Sequence, residues 1–315
     1  PGVTDSFEHP LPASAKIRKG IVSMKHIFKS ITAVLLCACL LFTATGCGKG
    51  GDGQAKQTVK LGVVGDDQRL WEKAAELAAK DGIKIELVHF SDYNTPNDAL
   101  VNGDVDLNAF QHKAFLDAYN ASKNTDLVPI GRTFISPIGA YSDKIKDLKD
   151  VPQNGKVSIP NDTTNGGRSL FLLEAAGLIK LKDDVGVIPT KDDIVENPKN
   201  ITIDELDAAQ VARTLPDVDA AVINTNLAID AGLSPKDDAI FMEPLNDNSA
   251  PYINYVVTRA EDKDNALYKK VAAYYRTPEV KALNDELYEK TQVMAWDLDI
   301  PDAGNTADPN YRPGK

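Results

Sequence analysis

The order of apolar and polar residues divides this chain of 315 residues into a short apolar segment near its start and a long region of alternating strand and helix patterns. Residues 24–30 contain Lys25 and Lys29, residues 31–42 are almost entirely apolar, and small residues follow them. This is the order of a secretory signal peptide. The apolar run is about half as long as the roughly 20 residues that a membrane-spanning helix needs, so we expect no permanent transmembrane anchor.

A cysteine stands directly after this segment. The order Ala44-Thr45-Gly46-Cys47 resembles the bacterial lipobox, in which a diacylglyceryl group is attached to the thiol and cleavage makes that cysteine the first residue. The alternative is an ordinary signal peptide in which the cysteine is incidental. We expect residues 24–46 to be a lipoprotein signal peptide and Cys47 to be lipidated. The protein would then be held on the extracytoplasmic face of the cell membrane.

The segments around the signal peptide are not expected to belong to the fold. Residues 47–57 are rich in glycine and polar residues, which is typical of a flexible tether. Residues 1–23 precede a natural initiator at Met24, and we interpret them as upstream sequence. The folded body is expected from residue 58 onward.

The body alternates between strand and helix patterns. The first series predicts strands at 59–64, 83–90, 105–108 and 127–134, with helices at 68–80, 96–102 and 110–120. The second series predicts strands at 156–159, 201–203, 219–223 and 252–258, with helices at 167–176, 204–215, 265–276 and 279–287. Alternation of this kind is typical of α/β layers around a mostly parallel sheet.

The last predicted strand returns the chain to the first series, which predicts two lobes. We expect lobe 1 to comprise residues 58–137 together with 253–315, and lobe 2 to comprise residues 138–252. The connections between the lobes would run near 134–141 and 249–256. A ligand is then expected in the cleft between the lobes, at the carboxyl ends of strands.

Composition argues against several classes of function. Residues 1–46 hold five basic and two acidic side chains, so their removal changes the formal net charge from −11 to −14. So acidic a protein is a poor partner for nucleic acid or for an anionic membrane surface. Cys47 is then the one remaining cysteine, beside His89 and His112, so we expect no disulfide, no metal site and no cofactor. Because no nucleophile motif or phosphate-binding loop is found, we expect no enzyme activity.

Five polar clusters follow predicted strands, where a cleft between two lobes would be lined. They are residues 91–94, 108–112, 136–142, 160–168 and 223–226. Asn, Asp, Gly and Pro are also the usual turn formers, so an ordinary loop is the default interpretation of each cluster taken alone.

Three long segments, residues 91–120, 139–182 and 219–233, contain motifs that are specific when they occur together. The motifs are FQH at 110–112, PND-x-x-N-x-x-R at 160–168 and VIN at 222–224. In these segments the chain resembles the NlpA family of lipoproteins, the methionine-binding proteins of methionine ABC transporters. The resemblance implies a two-lobed class II periplasmic-binding-protein fold that closes on a free amino acid. It also implies a monomer that works with an ABC transporter permease and ATPase.

Four polar residues of these segments suit the two charged ends of an amino acid. Arg168 offers a planar guanidinium for a ligand carboxylate, and its predicted place at a helix start would add positive potential. The alternative for Arg168 is an ion pair within the protein. Asn165, Asn224 and Asn226 could accept hydrogen bonds from the ammonium and donate to the carboxylate without adding charge.

Four aromatic residues are candidates for the pocket that would receive a thioether side chain. Tyr93, Phe110 and His112 could supply ring edges for contacts with sulfur, and Tyr141 is a further candidate from the cluster at 136–142. Taken alone, a histidine or phenylalanine of this kind is more often structural.

The leading hypothesis is a lipid-anchored protein that binds L- or D-methionine and delivers it to an importer. An alternative keeps the fold and replaces the ligand by a methionine-containing dipeptide or another apolar amino acid. A more distant alternative is an exported hydrolase, which would need a nucleophile and base that the sequence does not show. A structural surface lipoprotein would show repeats, and none is found.

Overall fold

The structure is a computed structural model that describes residues 57–289, 291–308 and 311. These residues belong to one compact unit, Gln54–Lys315. The predicted signal peptide, the lipidated cysteine and the tether up to residue 56 lie outside the described residues. Within the described part, none of the helices has the length and apolar character needed to cross a membrane.

Strands and helices alternate along the chain. The strands are β1 (Gln57–Val64), β2 (Ile83–Phe90), β3 (Leu107–His112), β4 (Val128–Arg132), β5 (Phe134–Ile135), β6 (Gly139–Tyr141), β7 (Lys156–Pro160), β8 (Lys180–Leu181), β9 (Ile194–Glu196), β10 (Thr202–Leu206), β11 (Ala220–Ile223), β12 (Ala239–Met242), β13 (Asn254–Thr258) and β14 (Val293–Met294). The α-helices are α1 (Arg69–Lys80), α2 (Pro96–Asn102), α3 (Lys113–Lys123), α4 (Thr163–Ala175), α5 (Ala208–Val211), α6 (Thr225–Asp230), α7 (Ala266–Tyr275) and α8 (Pro278–Tyr288).

Two five-stranded sheets form the framework. The first has the order β2-β1-β3-β13-β4, and the second has the order β10-β7-β11-β6-β12. In the first sheet β13 is antiparallel to both of its neighbours, and in the second sheet β6 is antiparallel to both of its neighbours. The other strands of each sheet run in one direction. The expectation of α/β layers is confirmed, with mixed sheets. We call the parts built on the first and second sheets the first and second lobe.

The chain passes between the lobes twice. The first connection, residues 133–138, runs from β4 to β6, and the second connection, residues 243–253, runs from β12 back to β13. The second connection contains a 3₁₀ segment, Asp247–Tyr252. Each sheet has its own apolar core. In the first lobe, Leu70, Trp71, Ala74 and Ala78 form the buried side of α1, as their helical spacing predicts.

Local patterns predicted several elements with their observed bounds, among them β2 and α2. The helix predicted at 110–120 is wrong at its start, because β3 continues to His112. His112 is the N-cap of α3, with its Nδ1 accepting the N–H of Phe115 at 3.1 Å. Phe110 therefore lies in a strand.

Two other helix predictions are wrong in their bounds. The helix predicted at 204–215 is mostly other structure, because β10 continues to Leu206 and α5 is a short helix. The helix predicted at 167–176 begins earlier, at Thr163, because Asp162 accepts the N–H of Asn165 and caps α4. Arg168 is thus the sixth residue of α4. The unpaired N–H groups of a helix belong to its first four residues, so the expected potential of a helix start does not act directly at Arg168.

Candidate functional site

Residues of both lobes enclose a cavity of about 100 Å³. It lies at the carboxyl ends of β1, β3 and β11, where open α/β sheets usually bind ligands. Seven of the residues predicted from the sequence line it, namely Tyr93, Phe110, His112, Asn165, Arg168, Asn224 and Asn226. They come from four separate stretches of the chain, and the fold brings them together.

His112 is buried and neutral. Its Nδ1 accepts the N–H of Phe115, so the ring proton lies on Nε2, which is 3.2 Å from Oδ1 of Asn165. Burial and, to a smaller extent, the positive charge of Arg168 lower the pKa of His112 to about 3, against the opposing effect of the hydrogen bond to Asn165. His112 therefore donates a hydrogen bond from the first lobe to the second without bringing a charge to the cavity.

A chain of amides continues from His112 into the second lobe. Oδ1 of Asn165 also accepts from Nδ2 of Asn224 at 2.9 Å, while Nδ2 of Asn165 donates to the Asp162 carboxylate at 3.1 Å. Both the oxygen and the nitrogen of the Asn165 side chain therefore already have hydrogen-bond partners within the protein. Oδ1 of Asn224, in contrast, is buried without a hydrogen-bond partner among the described residues. A buried acceptor without a partner costs about 1–3 kcal/mol, so this oxygen suits a donor supplied by a ligand.

Arg168 is buried and already holds a carboxylate. Its Nε and Nη2 donate to the two oxygens of Glu243 at 2.9 and 2.5 Å, and Nη2 also donates to the carbonyl of Ser136 at 2.9 Å. The guanidinium carbon lies 4.3 Å from the centre of the Tyr252 ring. The N–H groups of Nη1 have no hydrogen-bond partner among the described residues. The sequence offered a ligand contact and an internal ion pair as alternatives for Arg168, and its geometry is compatible with both at once.

Aromatic rings form one wall of the cavity. The ring of Phe110 lies 6.0 Å from that of Tyr93 and 5.8 Å from that of Phe115, in stacked and edge-on arrangements. Phe115 also meets the ring of His112 edge-on at 6.2 Å. Ring edges and faces at these spacings give a polarisable, apolar surface.

Hydrogen bonds across the cleft hold the two lobes together around the cavity. The hydroxyl of Tyr93 donates to Oδ1 of Asn226 at 2.5 Å, and the N–H of Asp66 donates to the Asp230 carboxylate at 3.0 Å. Burial raises the pKa of Asp230, against the hydrogen bond from Asp66. Because these bonds need both lobes in contact, the described arrangement is a closed one.

Tyr141 is the predicted site residue that the structure does not bring to the cavity. It lies in β6, is 1% exposed, and packs in an apolar cluster with Val211 and Leu215. Neighbouring residues of β6 point to opposite faces of the second sheet, and the position of Tyr141 faces this cluster. Burial also raises the pKa of its hydroxyl.

Several lining residues were missed from the sequence. Phe115 follows the capping His112 by three positions, so a corrected start for α3 would have placed both on one side of the first turn. Trp71, Asn254 and Gln292 also line the cavity. Glu243 is separated from Arg168 by 75 positions, and no local pattern signals their contact.

Comparisons with known proteins give one consistent result. The model of the NlpA lipoprotein family matches residues 59–296. The D-methionine-binding lipoprotein MetQ of Salmonella typhimurium is 44% identical over 273 residues, which cover 85% of this chain and 98% of that protein. A solved nutrient binding protein from Burkholderia cenocepacia bound to methionine is 44% identical, with a TM-score of 0.72 over 75% of this chain and 99% of that chain. The protein PG110 from Staphylococcus aureus is 49% identical, with a TM-score of 0.73 over 75% of this chain and 93% of that chain.

Proposed function

This chain belongs to the NlpA lipoprotein family, and we propose that it is a substrate-binding lipoprotein that binds methionine between its two lobes and delivers it to an ABC importer. It acts as a binding protein rather than an enzyme. The observation that carries the proposal is a cavity between the lobes that combines an arginine N–H edge, an amide oxygen without a partner among the described residues, and an aromatic wall.

The polar groups of the cavity match the two ends of an amino acid. Nη1 of Arg168 is available to the ligand carboxylate, since Nε and Nη2 are bound by Glu243 and Ser136. Oδ1 of Asn224 is available to the ligand ammonium. Asn226 already accepts a hydrogen bond from the hydroxyl of Tyr93 across the cleft. We therefore propose that Asn226 helps to close the cleft over the ligand and also lines the cavity.

The aromatic wall selects the side chain of the ligand. A flexible thioether can follow the rings of Tyr93, Phe110 and Phe115, and each favourable sulfur–ring contact contributes about 0.3–1.5 kcal/mol. The neutral His112 adds a further ring without a charge.

The remaining parts of the proposal concern the setting of the protein. We assign residues 24–46 to a lipoprotein signal peptide, Cys47 to lipidation, and residues 47–57 to a tether that lets a monomer reach a permease and ATPase complex. The relatives that are called lipoproteins support membrane attachment. We propose that the lipid anchors the protein on the extracytoplasmic face of the cell membrane. We keep the lobe bounds at 58–137 with 253–315, and 138–252.

The decisive experiment varies the ligand, because removing Arg168 would leave the buried Glu243 without its partner. Calorimetric titration of the detergent-solubilised lipoprotein compares methionine with methioninamide, norleucine and a methionine-containing dipeptide. Methioninamide lacks the carboxylate, and loss of one side of a buried charge pair costs about 2–5 kcal/mol, or roughly 30-fold to several thousand-fold in affinity. Norleucine replaces the sulfur by a methylene and should bind up to about tenfold more weakly.

Each outcome of this titration discriminates between the hypotheses. Equal affinities for methionine and methioninamide would remove the role assigned to Arg168. If the dipeptide bound more tightly than methionine, the proposed ligand would be wrong, and the alternative of the same fold with a dipeptide ligand would be supported. Failure of both to bind the folded protein would refute the proposed function.

A further inference from the structure

The buried ion pair of Arg168 and Glu243 lies where the chain passes between the lobes. The side chains are 3% and 11% exposed, and two hydrogen bonds join them. Glu243 is the first residue of the second connection, directly after β12. Arg168, on α4, belongs to the second lobe and lines the cavity.

The same pair also binds the first connection on both sides of Pro137. Nη2 of Arg168 donates to the carbonyl of Ser136, and the N–H of Ile138 donates to Oε2 of Glu243 at 3.2 Å. The N–H of Glu243 donates in turn to the carbonyl of Ile138 at 2.9 Å. One ion pair thus ties the two connections to each other.

The face of the guanidinium contacts the second connection again. Tyr252, at the end of the 3₁₀ segment, lies under the Arg168 guanidinium, and its ring meets that of His112 edge-on at 5.4 Å. The guanidinium therefore contacts the first connection through Nη2, and the second connection both through its bonds to Glu243 and through its face on Tyr252. Among the described residues, Nη1 of Arg168 has no hydrogen-bond partner, so this edge of the guanidinium is left for a ligand in the cavity.

Resting on the proposed function, we propose that Glu243 is a positioning residue. It fixes Arg168 so that Nη1 meets the ligand carboxylate, and it transmits that contact to the connections between the lobes. Without a ligand, Glu243 neutralises the buried guanidinium. With a ligand, a second carboxylate reaches the same guanidinium, and the bonds of Glu243 and Arg168 to Ile138 and Ser136 carry the change to the first connection. Closure of the cleft thereby depends on the carboxylate of the ligand as well as on its side chain.

The test compares Glu243→Gln with the unchanged protein. Gln keeps the shape of the side chain and removes its charge, so Arg168 loses a bidentate carboxylate partner. The bonds between Glu243 and Arg168 are present with and without ligand, so the affinity changes by the cost of ordering the freed Arg168 side chain on binding, and methionine should bind roughly 2- to 10-fold more weakly. Unchanged or tighter binding of methionine by the variant would overturn the inference. Methioninamide, which lacks the carboxylate, should bind the variant and the unchanged protein equally. Glu196→Gln, which removes the charge of an exposed glutamate paired with Lys180, is the matched control and should change neither affinity.

A second measurement uses the unchanged protein and needs no folded variant. Hydrogen exchange of the Ile138 amide reports directly on its bond to Glu243. Saturating methionine should slow this exchange, whereas saturating methioninamide should leave it close to the ligand-free rate.

The outcomes separate this inference from the proposed function. Equal losses of methionine and methioninamide affinity in Glu243→Gln would show a merely structural residue and overturn the inference. If methionine and methioninamide slowed hydrogen exchange of the Ile138 amide equally, the proposed coupling between the ligand carboxylate and the first connection would be wrong. If the unchanged protein bound no methionine at all, the proposed function itself would fail.

Discussion

Acid should destabilise this protein through His112, whose imidazole is buried and neutral in the folded state. Burial, together with the nearby charge of Arg168, lowers the pKa of His112 from its ordinary 6.5 to about 3. Between these values the unfolded chain takes up a proton at this residue and the folded chain does not. The free energy of unfolding therefore rises with pH across this window. The contribution of His112 to it is fully present above about pH 6.5 and is lost as the pH falls towards 3.

The magnitude follows from the pKa difference. One proton taken up by the unfolded state alone changes the free energy of unfolding by about 1.4 kcal/mol per pH unit. Between pH 7 and 5, before most carboxylates take up protons, His112 should therefore cost about 2 kcal/mol. This is a large fraction of the roughly 5–15 kcal/mol by which domains are stable.

The assay is urea unfolding followed by circular dichroism, at fixed ionic strength, from pH 5 to pH 7 and without ligand. His112→Asn removes the titrating group and keeps a side chain that can cap α3. The unchanged protein should lose about 2 kcal/mol more than His112→Asn over this range. His89→Gln, which alters an exposed histidine, is the matched control and should follow the unchanged protein. Parallel curves for His112→Asn and the unchanged protein would refute the reasoning.

Two further predictions concern the anchor and the mouth of the cleft. Cys47→Ala should abolish incorporation of labelled fatty acid and release the protein from the membrane, since one thiol carries the attachment; continued labelling would contradict the lipobox interpretation. Asp230→Asn should weaken methionine binding about tenfold or more, because its charge-assisted bond to the N–H of Asp66 forms only when the lobes meet. Calorimetry of this variant beside the exposed Asp217→Asn tests the effect, and equal affinities would show that the bond does not contribute to closure.

The sequence predicted best where the signal is local. The alternation in β2 and the proline at the start of α2 determine those elements within a few residues, and both have their predicted bounds. The short strands β6 and β12 were not predicted. They have three and four residues, and their place in the second sheet depends on pairing between residues about 100 positions apart. Such pairing leaves no periodic pattern in the sequence.

The capping residues show where local prediction failed. His112 and Asp162 each begin a helix, and a different start was predicted for both helices. The apolar pattern alone does not distinguish the last residues of a strand from the first turn of a helix. The side-chain acceptor that caps the first N–H groups decides the boundary.

The sequence by itself determined which polar and aromatic residues follow strands, because residue types and their positions after strands are local properties. Their interpretation as a site for a zwitterion with an apolar side chain came from the resemblance to the NlpA family. Only the tertiary structure decided how they are used. It buried Tyr141 away from the cavity and gave Arg168 an internal carboxylate at Glu243, 75 positions along the chain. It also left the side-chain oxygen of Asn224 without a hydrogen-bond partner in the part of the chain that the structure describes. The physical reason is that burial and hydrogen-bond partners are set by contacts between distant segments, whereas periodicity and capping act over a few residues.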